Sequence, residues 1–122
     1  MDKYEELGGL RVELDELVGL RPEEDGEPWR FLYKLTIHNA SDETVTIKGR
    51  KWIVRDTRGE TLVVEGDGVV GQHPCLEPGE QFSYNSSHAI HASATASGSL
   101  LGITGGGRVV VTRLPTFAME VD

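Results

Sequence analysis

Residues 50–85, RKWIVRDTRGETLVVEGDGVVGQHPCLEPGEQFSYN, decide how the rest of the chain is read. In an extended run side chains alternate, so Lys51, Ile53 and Arg55 fall on one face and Trp52, Val54 and Asp56 on the other. Asp56-Thr57-Arg58-Gly59 supplies a turn, with Gly59 free to take positive φ. Glu60 to Glu65 returns as a second strand, rich in β-branched residues that suit a pleated surface. Gly66-Asp67-Gly68-Val69-Val70-Gly71 follows at once, and no helical period follows it. Pro78-Gly79 then gives a turn, with proline fixing φ and glycine supplying φ > 0. Gln81 to Asn85 is the next strand, with Phe82 and Tyr84 on one face.

Working outward, Trp29 to Asn39 reads as a long strand with Phe31, Tyr33, Leu35 and Ile37 on its apolar face. One apolar and one mixed face suit an antiparallel sheet with a wet side. Upstream, Leu10 to Val18 reads as a first strand, alternating almost strictly up to Leu14, with Leu10, Val12 and Leu14 inward. A helix over Val12 to Leu20 competes with it, because Leu10, Leu14 and Leu17 also suit helical spacing. A helical turn is expected at Tyr4-Glu5-Glu6-Leu7, and an exposed loop over Arg21 to Pro28. Thr44 to Lys48 reads as a short strand broken by Gly49. Ser93 to Leu101 is extended, Thr104 to Gly107 is a hairpin loop, and Arg108 to Leu114 is a strand. Pro115 then precedes a last extended piece, Phe117 to Glu120. The count is about seven or eight strands with turn signals roughly every 8–12 residues, which two sheets packed face to face satisfy.

The chain has 122 residues, the size of one domain, and is long enough to bury a core without disulfides or metal. With 20 acidic against 12 basic residues the net charge is −8. A nucleic-acid coat needs a basic footprint, so no nucleic-acid partner is expected. The lone Cys75 excludes an internal disulfide and fits a reducing compartment. Neither a leader pattern nor a long apolar run is present, so a cytoplasmic protein without membrane attachment is expected.

Gly66-x-Gly68-x-x-Gly71 matches the dinucleotide-binding fingerprint as a string. That fingerprint needs a helix whose free N-terminal amides meet the pyrophosphate. Here Gln72-His73-Pro74 follows, and Pro74 to Gly79 makes no helix. The glycines are therefore expected to serve a tight crossover between strands. The competing reading is an anion-binding loop of Gly66, Gly68 and Gly71, with Arg50 supplying the charge. The favoured reading of the basic residues is that Arg50, Lys51, Arg55 and Arg58 pair with Glu60 and Glu65 across the hairpin.

His38, His73, His88, His91 and Cys75 are the metal-ligand types present, and no two pairs have zinc spacing. No metal and no cofactor are expected. Cys75 is expected in the core, and none of the serines sits in a nucleophile elbow, so no catalytic residue is assigned.

The run from Arg50 to Asp56, then Gly59, Gly66 to Gln72, Pro74, Leu76, Pro78-Gly79-Glu80 and Phe82-Ser83-Tyr84, is similar to the signature of the ApaG domain family. Phe31 to Asn39 resembles that family's long aromatic strand, and Leu114-Pro115-Thr116-Phe117 its closing Ile-Pro-x-Phe. The chain departs from the pattern at Lys51, where the family usually has His, and at His91-Ala92-Ser93-Ala94, with Gly98 retained. The resemblance covers about residues 10–118 of a single domain over 1–122. It implies an all-β, fibronectin type III-like or immunoglobulin-like sandwich of two antiparallel sheets. It also implies a small bacterial protein linked to cobalt resistance and magnesium efflux, with relatives of the domain serving protein contacts. The expectation is a non-enzymatic binding module with a protein partner, with edge-strand pairing into a homodimer as a second form of association. The alternative function is phosphate or nucleotide binding through residues 66–71.

Overall fold

A computed structural model describes residues 5–122. Among them lie nine strands: β1 (Glu5–Glu6), β2 (Leu10–Leu20), β3 (Trp29–Asn39), β4 (Val45–Asp56), β5 (Thr61–Asp67), β6 (Cys75–Leu76), β7 (Gln81–Ile90), β8 (Ala94–Thr104) and β9 (Val109–Met119). One sheet runs β1-β9-β8-β4-β5, with β6 also on β4; the other runs β2-β3-β7. Every pairing is antiparallel apart from β1 on β9, which is parallel. Glu5 and Glu6 are thus extended and not helical, and Tyr4 lies outside the described residues. Two sheets, one core and no helix give an all-β sandwich.

Three bulges set which side chains face inward. Leu14 pairs with Leu35 and Glu16 with Lys34, which leaves Asp15 as the extra residue of β2. The inward parity therefore passes from Leu10, Val12 and Leu14 to Leu17 and Gly19. That shift produces the spacing that reads as a helix, and the strand continues to Leu20. On β4, Ile47 pairs with Gly102 and Gly49 with Leu101, so Lys48 is extra and Gly49 does not end the strand. Inward positions move from Val45 and Ile47 to Arg50, Trp52 and Val54. On β9, Ala96 pairs with Phe117 and Gly98 with Leu114, so the extra residue lies at Pro115–Thr116. Proline has no ladder hydrogen to give and sits where none is needed.

The core joins the inner faces: Phe31, Tyr33, Leu35 and Ile37 from β3 meet Trp52 and Val54 from β4, Leu100 from β8 and Phe117 and Met119 from β9. Tyr33, Trp52 and Phe117 form an edge-to-face cluster with ring centroids 5.4–5.6 Å apart. Gly98 pairs with Trp52, and an added Cβ there would collide with the Lys51 carbonyl. Asn39, 1% exposed, fastens the loops below. Its Nδ2 donates to the Glu43 carbonyl at 2.8 Å and the Leu76 carbonyl at 2.9 Å, while its Oδ1 accepts from Ser41. No helix of the described residues is long and apolar enough to cross a membrane.

Candidate functional site

The glycine run is split between strand and turn. Gly66 and Asp67 finish β5 opposite Arg50 and Gly49. Gly68 leaves the strand at φ 65°, and its amide donates to the Lys48 carbonyl at 2.8 Å. Val69 is fully buried and pins the loop to the core. Val69 and Gln72 then exchange two backbone hydrogen bonds, at 2.8 and 2.9 Å, around Val70 and Gly71. Both central residues have positive φ, 44° and 78°, which makes a two-residue type I′ turn. The chain reaches β6 through the Pro74 carbonyl, which accepts from the Ile47 amide at 2.9 Å. Residues 66–71 thus join two β-segments along one edge of β4, with no helix at Gly71.

This geometry engages part of the loop's amides. Gly68, Val69 and Gln72 already donate within the backbone. An added Cβ at Gly68 would collide with the Gln72 carbonyl, so glycine is required there by the turn.

Arg50 does meet the loop. The Lys48 bulge turns it to the inner face, where its guanidinium covers Gly66, and Nη1 donates to the Gly68 carbonyl at 3.0 Å. A Cβ on Gly66 would fall 2.6 Å from Nη2 of that group, so Gly66 makes room for the arginine. Of the charges expected to pair across the hairpin, Lys51 meets Glu65 at 3.5 Å and Arg58 meets Glu60 at 3.2 Å and also Asp56 at 2.9 Å, while among the described residues Arg50 and Arg55 have no carboxylate within ion-pair distance. Asp67 points to solvent and meets His73 at 3.1 Å.

Across the sandwich from Arg50, β7 turns Tyr84, Ser86 and His88 inward. The Tyr84 hydroxyl and His88 Nε2 are buried without a hydrogen-bond partner. Burial pushes the Tyr84 phenol up, with Tyr33 adding to the rise and the Arg50 charge pulling it back. Burial alone lowers His88 from 6.5 to about 4, so the ring is neutral. His88 packs against Tyr33 and Trp52 at centroid distances of 4.9 and 5.0 Å, as part of the aromatic core and not as a ligand. His38 pairs with Glu13 at 3.2 Å and His91 is exposed. Cys75 is exposed rather than buried, because on β6 it is Leu76 that faces the core. Among the described residues no three His, Cys, Asp or Glu side chains gather as a metal site.

The sequence signals Arg50 through its parity with Trp52 and Val54 and through the glycine paired with it. Tyr84 carries a signal too, since it shares a face with Phe82. The unpartnered His88 has none, because a histidine on an inward face looks the same paired or unpaired.

A second surface has no sequence motif at all. On the outer face of the three-stranded sheet Val18 pairs directly with Leu32, and Leu20 follows two residues on. All three are exposed, at 49, 42 and 45%. Beside Val18 and Leu32 lies a groove of ≈ 490 Å³ bordered by Glu16, Lys34, Asn85 and Ser87. An apolar centre with a polar border is the anatomy of a docking surface.

The comparisons with known proteins agree with this architecture. The ApaG domain pattern matches residues 20–103. Protein ApaG of Beijerinckia indica is 35% identical over 108 residues, covering 88% of this chain and 83% of that protein. Protein ApaG of Methylococcus capsulatus is 42% identical over 78 residues, which span 64% of this chain and 60% of that relative's length. An X-ray structure solved as a Northeast Structural Genomics Consortium target superposes with a TM-score of 0.82 at 24% identity, covering 93% of this chain and 87% of that one. At that identity the likeness concerns the fold.

Proposed function

This chain belongs to the ApaG domain family, and from that premise we propose that it is a non-enzymatic binding module whose partner is another protein. The observation that carries the reading is the exposed Val18–Leu32 pair with Leu20 beside it, a contiguous apolar centre on a molecule of net charge −8. A module of this kind acts in the cytoplasm and affects cobalt and magnesium handling through its partner, the cation link resting on the family resemblance alone. The partner presents an apolar knob to the Val18–Leu32 centre and polar groups to its border of Glu16, Lys34, Asn85 and Ser87.

The test is in-cell cross-linking of the full chain against a Val18→Asp/Leu32→Asp variant, with the fold of both checked by circular dichroism. The reading expects one protein captured by the wild type and lost by the variant, together with altered cobalt tolerance in cells carrying the variant. Identical capture by both chains contradicts it.

Phosphate or nucleotide binding by Gly66, Gly68, Gly71 and Arg50 is the second reading. One observation favours it: among the described residues Arg50 has no carboxylate partner within ion-pair distance, so its charge is balanced by carbonyls alone.

A further inference from the structure

Sheet edges expose a row of unpaired amides and carbonyls, and folded proteins block them with charge, proline, bulges or brevity. Three of the four edges of this sandwich are blocked. β1 is two residues long. β2 carries Arg11, Glu13, Asp15 and Glu16, contains the Asp15 bulge, and lies along β9, where the Thr112 hydroxyl donates to the Leu10 carbonyl at 3.0 Å. β5 carries Glu65 and Asp67 and ends in the glycine run.

β7 is the exception. Its ten residues, QFSYNSSHAI, include no Lys, Arg, Asp, Glu or Pro. Its register on β3 runs unbroken from Gln81 to Ile90, without a bulge. No other strand of the described residues pairs with its free side. Its outward side chains Ser83, Asn85 and Ser87 are exposed and small.

We propose that β7 pairs antiparallel with β7 of a second copy of this chain, joining two three-stranded sheets into one of six. The charge pattern selects a second copy. Two molecules of net charge −8 repel, and β7 is the one long edge where they meet without opposing carboxylates. A two-fold axis at Asn85 places Ser83 opposite Ser87 of the second copy and Asn85 opposite itself. Hydroxyl and amide side chains at such positions hydrogen-bond across strands. The contact is isologous and therefore closes at two chains. Both Val18–Leu32 centres then lie on one face of a continuous sheet, although the pairing does not depend on the docking reading.

Sedimentation of the full chain from micromolar to millimolar concentration tests the proposal. The expected result is a species of twice the 13.4 kDa chain mass. It is lost in S83K/S87K, where like charges oppose across the two-fold, and kept in V63K, which places a lysine on β5 instead. Mixing S83K/S87K with S83E/S87E restores the doubled mass, which separates edge repulsion from misfolding. A wild type that is monomeric throughout overturns the proposal. So does a dimer that survives S83K/S87K, or one that V63K abolishes.

Discussion

On one flank of the sandwich β2 lies against β9, tied by the Thr112–Leu10 hydrogen bond at one end and by Arg21 to Asp122, 2.6 Å apart, at the other. On the opposite flank β5 and β7 stand apart, with a groove of ≈ 410 Å³ between Leu62 and Ile90. That open flank gathers the unusual features of the molecule. It has the positive-φ Val70, the inward Arg50, and the unpartnered Tyr84 hydroxyl and His88 ring. Such groups cost stability wherever they occur. Their concentration there sets the open flank apart as the side that holds groups packing alone does not require.

Substitutions sharpen or break that contrast. The largest effect is expected at the crossover. Gly68→Ala adds a Cβ at φ 65° and drives it into the Gln72 carbonyl, for a loss of about 3 kcal/mol in urea unfolding. A loss below about 1 kcal/mol means the loop gives way and does not anchor the open flank.

His88 gives the next effect, and it depends on pH. Its folded pKa of about 4 lies below the unfolded 6.5, so above that value both states are neutral. As pH falls from 6.5 to about 4 the unfolded chain takes up a proton that the native ring refuses, and stability drops. The loss is about 2 kcal/mol once residual solvation is allowed for. His88→Phe removes this loss, so its stability relative to wild type rises by that amount between neutral pH and pH near 4. An unchanged difference breaks the assignment.

Val70→Asn is expected to stabilise by about 1.5 kcal/mol, because Asn tolerates the left-handed region that a β-branched residue resists. Thermal unfolding measures it, and a loss of stability contradicts strain at the turn. The smallest effect belongs to the closed flank: Thr112→Val costs about 1 kcal/mol in urea unfolding at every pH, since the flank has one buried side-chain hydrogen bond to lose and no titrating group in it.

Much of this molecule is legible from alternation. β3 runs from Trp29 to Asn39 as its pattern predicts, and Phe31, Tyr33, Leu35 and Ile37 fill the core. What alternation hides is a bulge, because one extra residue reverses parity without leaving a composition signal. That is why Leu14 and Leu17 read as helical and why Gly49 reads as a break. The type I′ turn at Val70-Gly71 is hidden for another reason: the usual Asn-Gly pair is missing, and burial of Val69 holds the turn in its place. Cys75 lies on the exposed side and not in the core that its residue type suggests, because a two-residue strand is too short to show which face is which. The exposed apolar patch at Val18 and Leu32 depends on strand register, which no motif encodes.

The central claim is that residues 66–71 are shaped for the crossover and for Arg50, leaving association to the sheets. The direct measurement is a titration of the isotopically labelled protein with pyrophosphate and ATP, following the amide resonances of Gly66, Gly68, Gly71 and the Arg50 side chain. The prediction is that none of them moves at sub-millimolar ligand. Saturable shifts confined to these groups at that concentration contradict it.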